Sequence, residues 1–154
     1  MEPVASTEIV VVRLGVTRCC LSMAHVAEVG RPPRLTRVPG LPAWLAGVAN
    51  WRGRVLAVLD LRPLLGEVPA RDGRTARLVV LHRGEVTVGL LTDGVDGTRQ
   101  LAPDDIEPSL SHLPDAAADL LCGQVTDDDG PYGVLDVDAV FRLPDGLPRA
   151  RRVA

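Results

Sequence analysis

Apolar residues along this chain fall in short runs of valine and leucine, broken by glycine, proline and aspartate. Residues 8–14 (EIVVVRL) open the series, and Gly15-Val16-Thr17 turns the chain into a second run at 18–23. Further runs occupy 54–59 (RVLAVL), 77–81 (RLVVL), 85–91 and 133–135. Short valine-rich segments bounded by turn formers predict strands. Helical patterning is sparse. Residues 114–121 (PDAAADLL) and 136–143 predict helices, and 61–65 predicts a single helical turn. Many short strands at close spacing predict a mainly β barrel or sandwich, whose corners suit the 13 prolines and 15 glycines.

The pattern repeats. The stretch 56–65 (LAVLDLRPLL) reads against 132–141 (YGVLDVDAVF), sharing Val-Leu-Asp-(Leu/Val)-x-x-apolar-apolar at an offset of 76. At the same offset Leu45-Ala46-Gly47 falls on Leu121-Cys122-Gly123, and Arg13-Leu14-Gly15 resembles His82-Arg83-Gly84 at an offset of about 69. Both halves then run strand, turn, strand, linker, strand, strand, short helix. A period of this kind is sought before any fold assignment, and it predicts two similar small barrels. The boundaries fall at 8–66 and 76–143 within one domain spanning 8–143, with the polar stretch 67–75 (EVPARDGRT) as divider. This division leaves room for strands to be exchanged between the barrels. Residues 144–154, with three arginines and no apolar stripe, are expected to form a disordered tail.

Composition removes whole classes of chemistry. All 17 basic residues are arginine, set against 14 Asp and 6 Glu for a net charge of −3. Without lysine there is no lysine Schiff base, no P-loop lysine and no lysine general base. The arginines are scattered, so no basic footprint for nucleic acid appears. A chain of 154 residues buries roughly 70% of its unfolded surface and needs no disulfide or metal to fold. Cys19, Cys20 and Cys122 give neither a disulfide framework nor C-x-x-C, which fits a reducing, cytosolic compartment. No apolar run approaches about 18 residues and the N-terminus lacks a signal-peptide pattern, so no membrane insertion is expected.

Candidate catalytic groups fare poorly. Cys19 and Cys20 lie near His25, yet adjacent side chains of a strand point to opposite faces, and nothing nearby would lower a thiol pKa. Ser111-His112 lacks the G-x-S-x-G context of a serine nucleophile. Histidines 25, 82 and 112 have no metal-ligand spacing. Asp127-Asp128-Asp129-Gly130 fails as a calcium loop, because Pro131 takes the fifth place and Asp138 the twelfth. It reads as a solvated hairpin turn, and Asp93-Gly94 and Asp96-Gly97 read the same way. Asn50-Trp51-Arg52-Gly53 is different, because its turn displays two residue types enriched at binding hot spots. A tryptophan plugging the base of a barrel beside an exposed arginine is the equally good alternative.

These residues carry a resemblance. Val38-Pro39-Gly40-Leu41-Pro42, Leu45-Ala46-Gly47-Val48, Asn50-Trp51-Arg52-Gly53 and Val58-Leu59-Asp60-Leu61-Arg62 together resemble the central signature of the CheW-like family. Val88–Val95 and Ile106-Glu107-Pro108 extend the likeness, which covers about residues 9–143. The resemblance implies two five-stranded SH3-like barrels side by side. It also implies a non-catalytic adaptor, without cofactor or metal, that couples chemoreceptors (methyl-accepting chemotaxis proteins) to a CheA-type histidine kinase. The implied partners are the kinase's regulatory domain and the receptor's cytoplasmic tip, and the implied location is the cytoplasm, held at receptor arrays through those partners. By position, Arg52 matches the family's functionally sensitive arginine and Glu28 the acidic residue near it. Val26 and Val95 match apolar positions of partner contact. Asn50, Gly47, Gly53 and Asp60 match the structural motif, and Trp51 replaces the aliphatic residue usual before the arginine, which adds it to the interface candidates. The competing expectation is a stand-alone protein of the same fold, regulatory or ligand-binding outside any array, with a pocket lined by Cys20, His25 and Trp51.

Overall fold

Residues 6–70, 73–108 and 119–143 are described by the computed structural model of the chain. The valine-rich runs become strands β1 (Thr7–Leu14), β2 (Thr17–Ser22), β5 (Arg54–Leu59), β6 (Arg77–Arg83), β7 (Val86–Thr92) and β10 (Gly130–Leu135). Strands β3 (Val26–Gly30), β4 (Leu45–Trp51), β8 (Gly94–Leu101) and β9 (Leu121–Asp127) complete the set. The helix expected at 136–143 forms as α1 (Val137–Arg142), where the Asp136 carboxylate accepts from the Ala139 N–H at 3.2 Å. Arg62–Leu65 is the expected short turn, a 3₁₀ helix closed by Gly66 in the left-handed region.

The strands build two five-stranded sheets, ordered β8-β1-β2-β10-β9 and β3-β6-β7-β5-β4. Each sheet curls around a small interior of its own. Ile9, Val11, Cys20, Leu101, Val125 and Tyr132 fill the first, and Ala49, Leu56, Val58, Leu78 and Val80 the second. A third and larger cluster lies where the two sheets meet, with Val10, Val12, Leu14, Cys19, Leu21, Val79, Leu81, Val88 and Leu90 among its members. Strands β1 and β6 therefore bury both faces, one toward a barrel interior and one toward the shared core. That double burial explains why 8–14 and 77–81 read as continuous apolar runs instead of alternating ones.

Four strands escaped sequence reading. β8 contains Asp96, Gly97, Thr98 and Arg99, and its middle is exposed. Its two Asp/Gly pairs were expected to be turns. Instead β8 runs antiparallel to β1, with a register shift between Val11 and Val12 and Gly97 at φ 105°. Pairing with a neighbour buried over Ile9–Val12 overrides weak intrinsic preference. β4 is rich in small residues for a related reason. Gly47 sits at φ 150° beside a register shift, and a Cβ there would collide with the Thr36 carbonyl oxygen. The helix expected at 114–121 lies outside the described residues apart from 119–121, where Asp119 and Leu120 are helical and Leu121 opens β9. Ser111, His112 and the tail 144–154 lie outside them as well.

Candidate functional site

The β4–β5 hairpin has the shortest turn geometry a strand pair allows. Trp51 pairs with Arg54, leaving Arg52 and Gly53 as its two central residues, at φ 52° and 81°. Positive φ at both positions is the signature of a type I′ turn, whose twist matches that of the flanking strands. Among the described residues Arg52 alone takes a positive φ without being glycine. The Asn50 side-chain oxygen accepts from the Gly53 N–H at 3.1 Å and steadies the turn. Asn50 and Gly53 thus serve the backbone, and Arg52 is carried at the tip.

What meets this hairpin comes from β3. The Glu28 carboxylate accepts from Arg52 Nε at 2.8 and 3.0 Å and from the Trp51 indole N–H at 2.9 Å. The Arg52 guanidinium also lies over the Trp51 ring, 5.8 Å from its centroid. The Arg52 side chain nevertheless remains 75% exposed, and Glu28 31%. Trp51 is the hinge of the group. Its polar edge is held by Glu28, and its ring packs on the second barrel's interior and over Gly30, where a Cβ would stand 2.7 Å from the ring. The tryptophan thus packs on the barrel, as the structural alternative expects, and the arginine projects from the turn tip in the grip of Glu28. The result is an exposed cation on a fixed stem.

The remaining candidates distribute themselves. Val26 shares β3 with Glu28, while Val95 lies in the other sheet, on β8. Both are half-buried against the shared core, and they occupy equivalent bulged positions, Val26 opposite Leu81 and Val95 opposite Val12. Gly47 belongs to the β4 bulge, away from the tip. Asp60 serves a different cluster, accepting from Arg62 Nε at 2.8 Å and Arg62 Nη2 at 3.1 Å.

That second cluster was missed at its most important member. Asp93, read from its Asp-Gly pair as a solvated turn, is buried. Its carboxylate accepts from Arg62 Nη1 at 2.8 Å, from the Ala70 N–H at 3.0 Å and from the Gly15 N–H. The Asp60-Leu61-Arg62 motif was the available signal, because a buried arginine beside one carboxylate has donors left for a second.

Cys19, Cys20 and His25 form no reactive group. Cys19 faces the shared core and Cys20 the first barrel interior, and burial pushes each thiol up to about 12. His25 lines a cleft of about 300 Å³ with Ile9, Leu21 and Cys122, whereas Trp51 borders another of about 250 Å³ with Val55 and Leu56. His25 and Trp51 thus border different clefts, and Cys20 lines neither of them. The described residues contain no cluster of three or more groups suited to a metal ion, and no helix among them is long and apolar enough to cross a membrane.

The family model described as CheW-like domain matches residues 8–145. The chain belongs to the CheW-like family. It is 36% identical over 91 residues to the protein PilI of Pseudomonas aeruginosa, a match covering 59% of this chain and 51% of PilI. The chain thus spans about half the length of that relative. A probable chemotaxis protein CheW of Rhizobium etli is 28% identical over 134 residues, covering 87% of this chain and 86% of the relative. Among solved structures, the scaffolding protein TtCheW from Thermoanaerobacter tengcongensis superposes with a TM-score of 0.76 at 24% identity, covering 88% of this chain and 87% of that one. At that identity the likeness establishes the fold, a pair of SH3-like β subdomains. CheW-like proteins are non-catalytic scaffold adaptors of chemotaxis-like systems.

Proposed function

We propose that this CheW-like chain couples the cytoplasmic tip of a chemoreceptor to the regulatory domain of a CheA-type histidine kinase, within a signalling array that controls motility or a related output. The protein works in the cytoplasm on this reading and reaches the membrane only through its partners. Arg52, Glu28, Trp51, Val26 and Val95 form its contact surface. One observation carries the reading: an arginine held at a left-handed turn tip, braced by Glu28 and Trp51, with its side chain 75% exposed. An exposed ion pair contributes only about 0–1 kcal/mol to stability, too little to account for a strained backbone at that position. An arginine anchor at an interface is worth about 2 kcal/mol or more when truncated.

Affinity capture with wild type and Arg52→Glu tests this. Wild type is expected to recover a CheA-type kinase and a chemoreceptor from native cell extract, and the variant to lose at least one of them while keeping its thermal midpoint. A loss of about 2 kcal/mol corresponds to roughly thirtyfold weaker binding. A folded variant that assembles normally with both partners sinks the assignment, as does a wild type that recovers neither.

A further inference from the structure

Two offsets relate the halves of this chain strand by strand, and the registers follow them down to the irregularities. An offset of 69 carries Leu14↔Thr17 and Val12↔Cys19 of β1–β2 onto Arg83↔Val86 and Leu81↔Val88 of β6–β7. It also carries the bulged pairs Val26↔Leu81 and Glu28↔Val80 onto Val95↔Val12 and Gly97↔Val11. An offset of 76 carries Trp51↔Arg54 onto Asp127↔Gly130, and the bulge between Leu45↔Leu59 and Gly47↔Val58 onto the one between Leu121↔Leu135 and Gly123↔Val134. Both offsets meet in the parallel pairs, where Ala57↔Val88 corresponds to Gly133↔Cys19.

The partners, however, cross between halves. Hairpin β1–β2 sits between β8 and β10 of the second half, and hairpin β6–β7 sits between β3 and β5 of the first. Remove the first half, and β8 loses the strand it pairs with while β10–β9 remains a lone hairpin. Remove the second, and β3 and β5–β4 meet the same fate. A lone two-stranded hairpin is marginal in water, and each donated hairpin also carries one wall of the shared core. Asp93 adds a polar latch to this exchange. It belongs to the second half, yet it accepts from Arg62 of the first half, from Ala70 of the divider and from Gly15 of the β1–β2 turn.

The two barrels form a reciprocally hairpin-exchanged pair, and from this we infer that each half of the chain is a folding partner of the other and recognises it without the covalent link. The partner each half fits is the complementary half, through strand addition at both flanks of the donated hairpin. Neither barrel is then a domain that folds alone, and the divider contributes only effective concentration.

Replacing Arg71-Asp72 in the full chain by a protease recognition sequence tests this. After cleavage the two pieces are expected to elute as one 1:1 complex with unchanged far-ultraviolet circular dichroism. Their melting midpoint should become concentration-dependent, because unfolding is now also dissociation. Each piece, separated in denaturant and returned to buffer alone, is expected to lack a cooperative melt, and mixing should restore it. Pieces that part in native buffer, or a single piece that melts cooperatively by itself, overturn the inference. Should the altered linker prevent folding before cleavage, hydrogen exchange on the unaltered chain decides. One shared opening free energy for the slowest amides of both sheets supports the exchange, and two separate values overturn it.

Discussion

Arg52 shows how a single residue departs from local preference. Left-handed backbone at a non-glycine residue is disfavoured by about 1–2 kcal/mol, and among the described residues no other side chain accepts that conformation. The Asn-x-Arg-Gly spacing revealed a turn, but the strain became visible only in the backbone angles. Cys19 and Cys20 show the opposite case, where local rules suffice. Strand alternation sends neighbouring side chains to opposite faces, and here each face is a separate core. Burial raises both thiols to about 12, while Cys122 is exposed on β9. The native protein should therefore react with one equivalent of Ellman's reagent at pH 8, from Cys122, and with three only after denaturation. Two fast equivalents in the native state would contradict the burial of the pair.

The β4–β5 hairpin is the element that carries the proposed contact. Its turn was legible because Gly53 and Asn50 are required by turn chemistry, whereas the meeting of Arg52 with Glu28 followed only from the family resemblance, since Glu28 lies more than twenty positions earlier in the chain. Trp51 joins the two roles, packing on the barrel and donating to Glu28. Separating them by substitution is straightforward. Trp51→Phe keeps the apolar plug, removes the indole donor, and is expected to change stability by no more than about 1 kcal/mol. Trp51→Ala empties the plug and is expected to cost about 2 kcal/mol or more. Denaturant unfolding measures both, and equal losses would mean that the hydrogen bond, not the packing, holds the hairpin to β3.

Across the whole molecule, the two sheets are tied by apolar and polar means at once. The shared core does most of the joining, and the Asp60–Arg62–Asp93 cluster fixes the divider and the β1–β2 turn against it. Removing Asp93 leaves Arg62 paired to Asp60 alone and takes the acceptor from the Ala70 and Gly15 N–H groups, each orphaned donor costing about 1–3 kcal/mol. Asp93→Ala is accordingly expected to lose an amount of that order in urea unfolding and to destabilise both sheets in one transition. A change below about 1 kcal/mol, or a loss confined to one sheet, would show that the latch carries little of the coupling.

By itself the amino-acid sequence determined most of the strand content, the turn at Asn50–Gly53, the continuous apolar runs at 8–14 and 77–81, and the repeat with its two offsets. All of these are local or periodic properties, set by backbone sterics and by which faces must avoid water. Only the tertiary structure decided which hairpin completes which sheet, that the polar segment of β8 is a strand, and that Asp93 is buried. Each of those outcomes depends on groups far apart in the chain, and a strand's register or a carboxylate's burial is settled by the partner it meets.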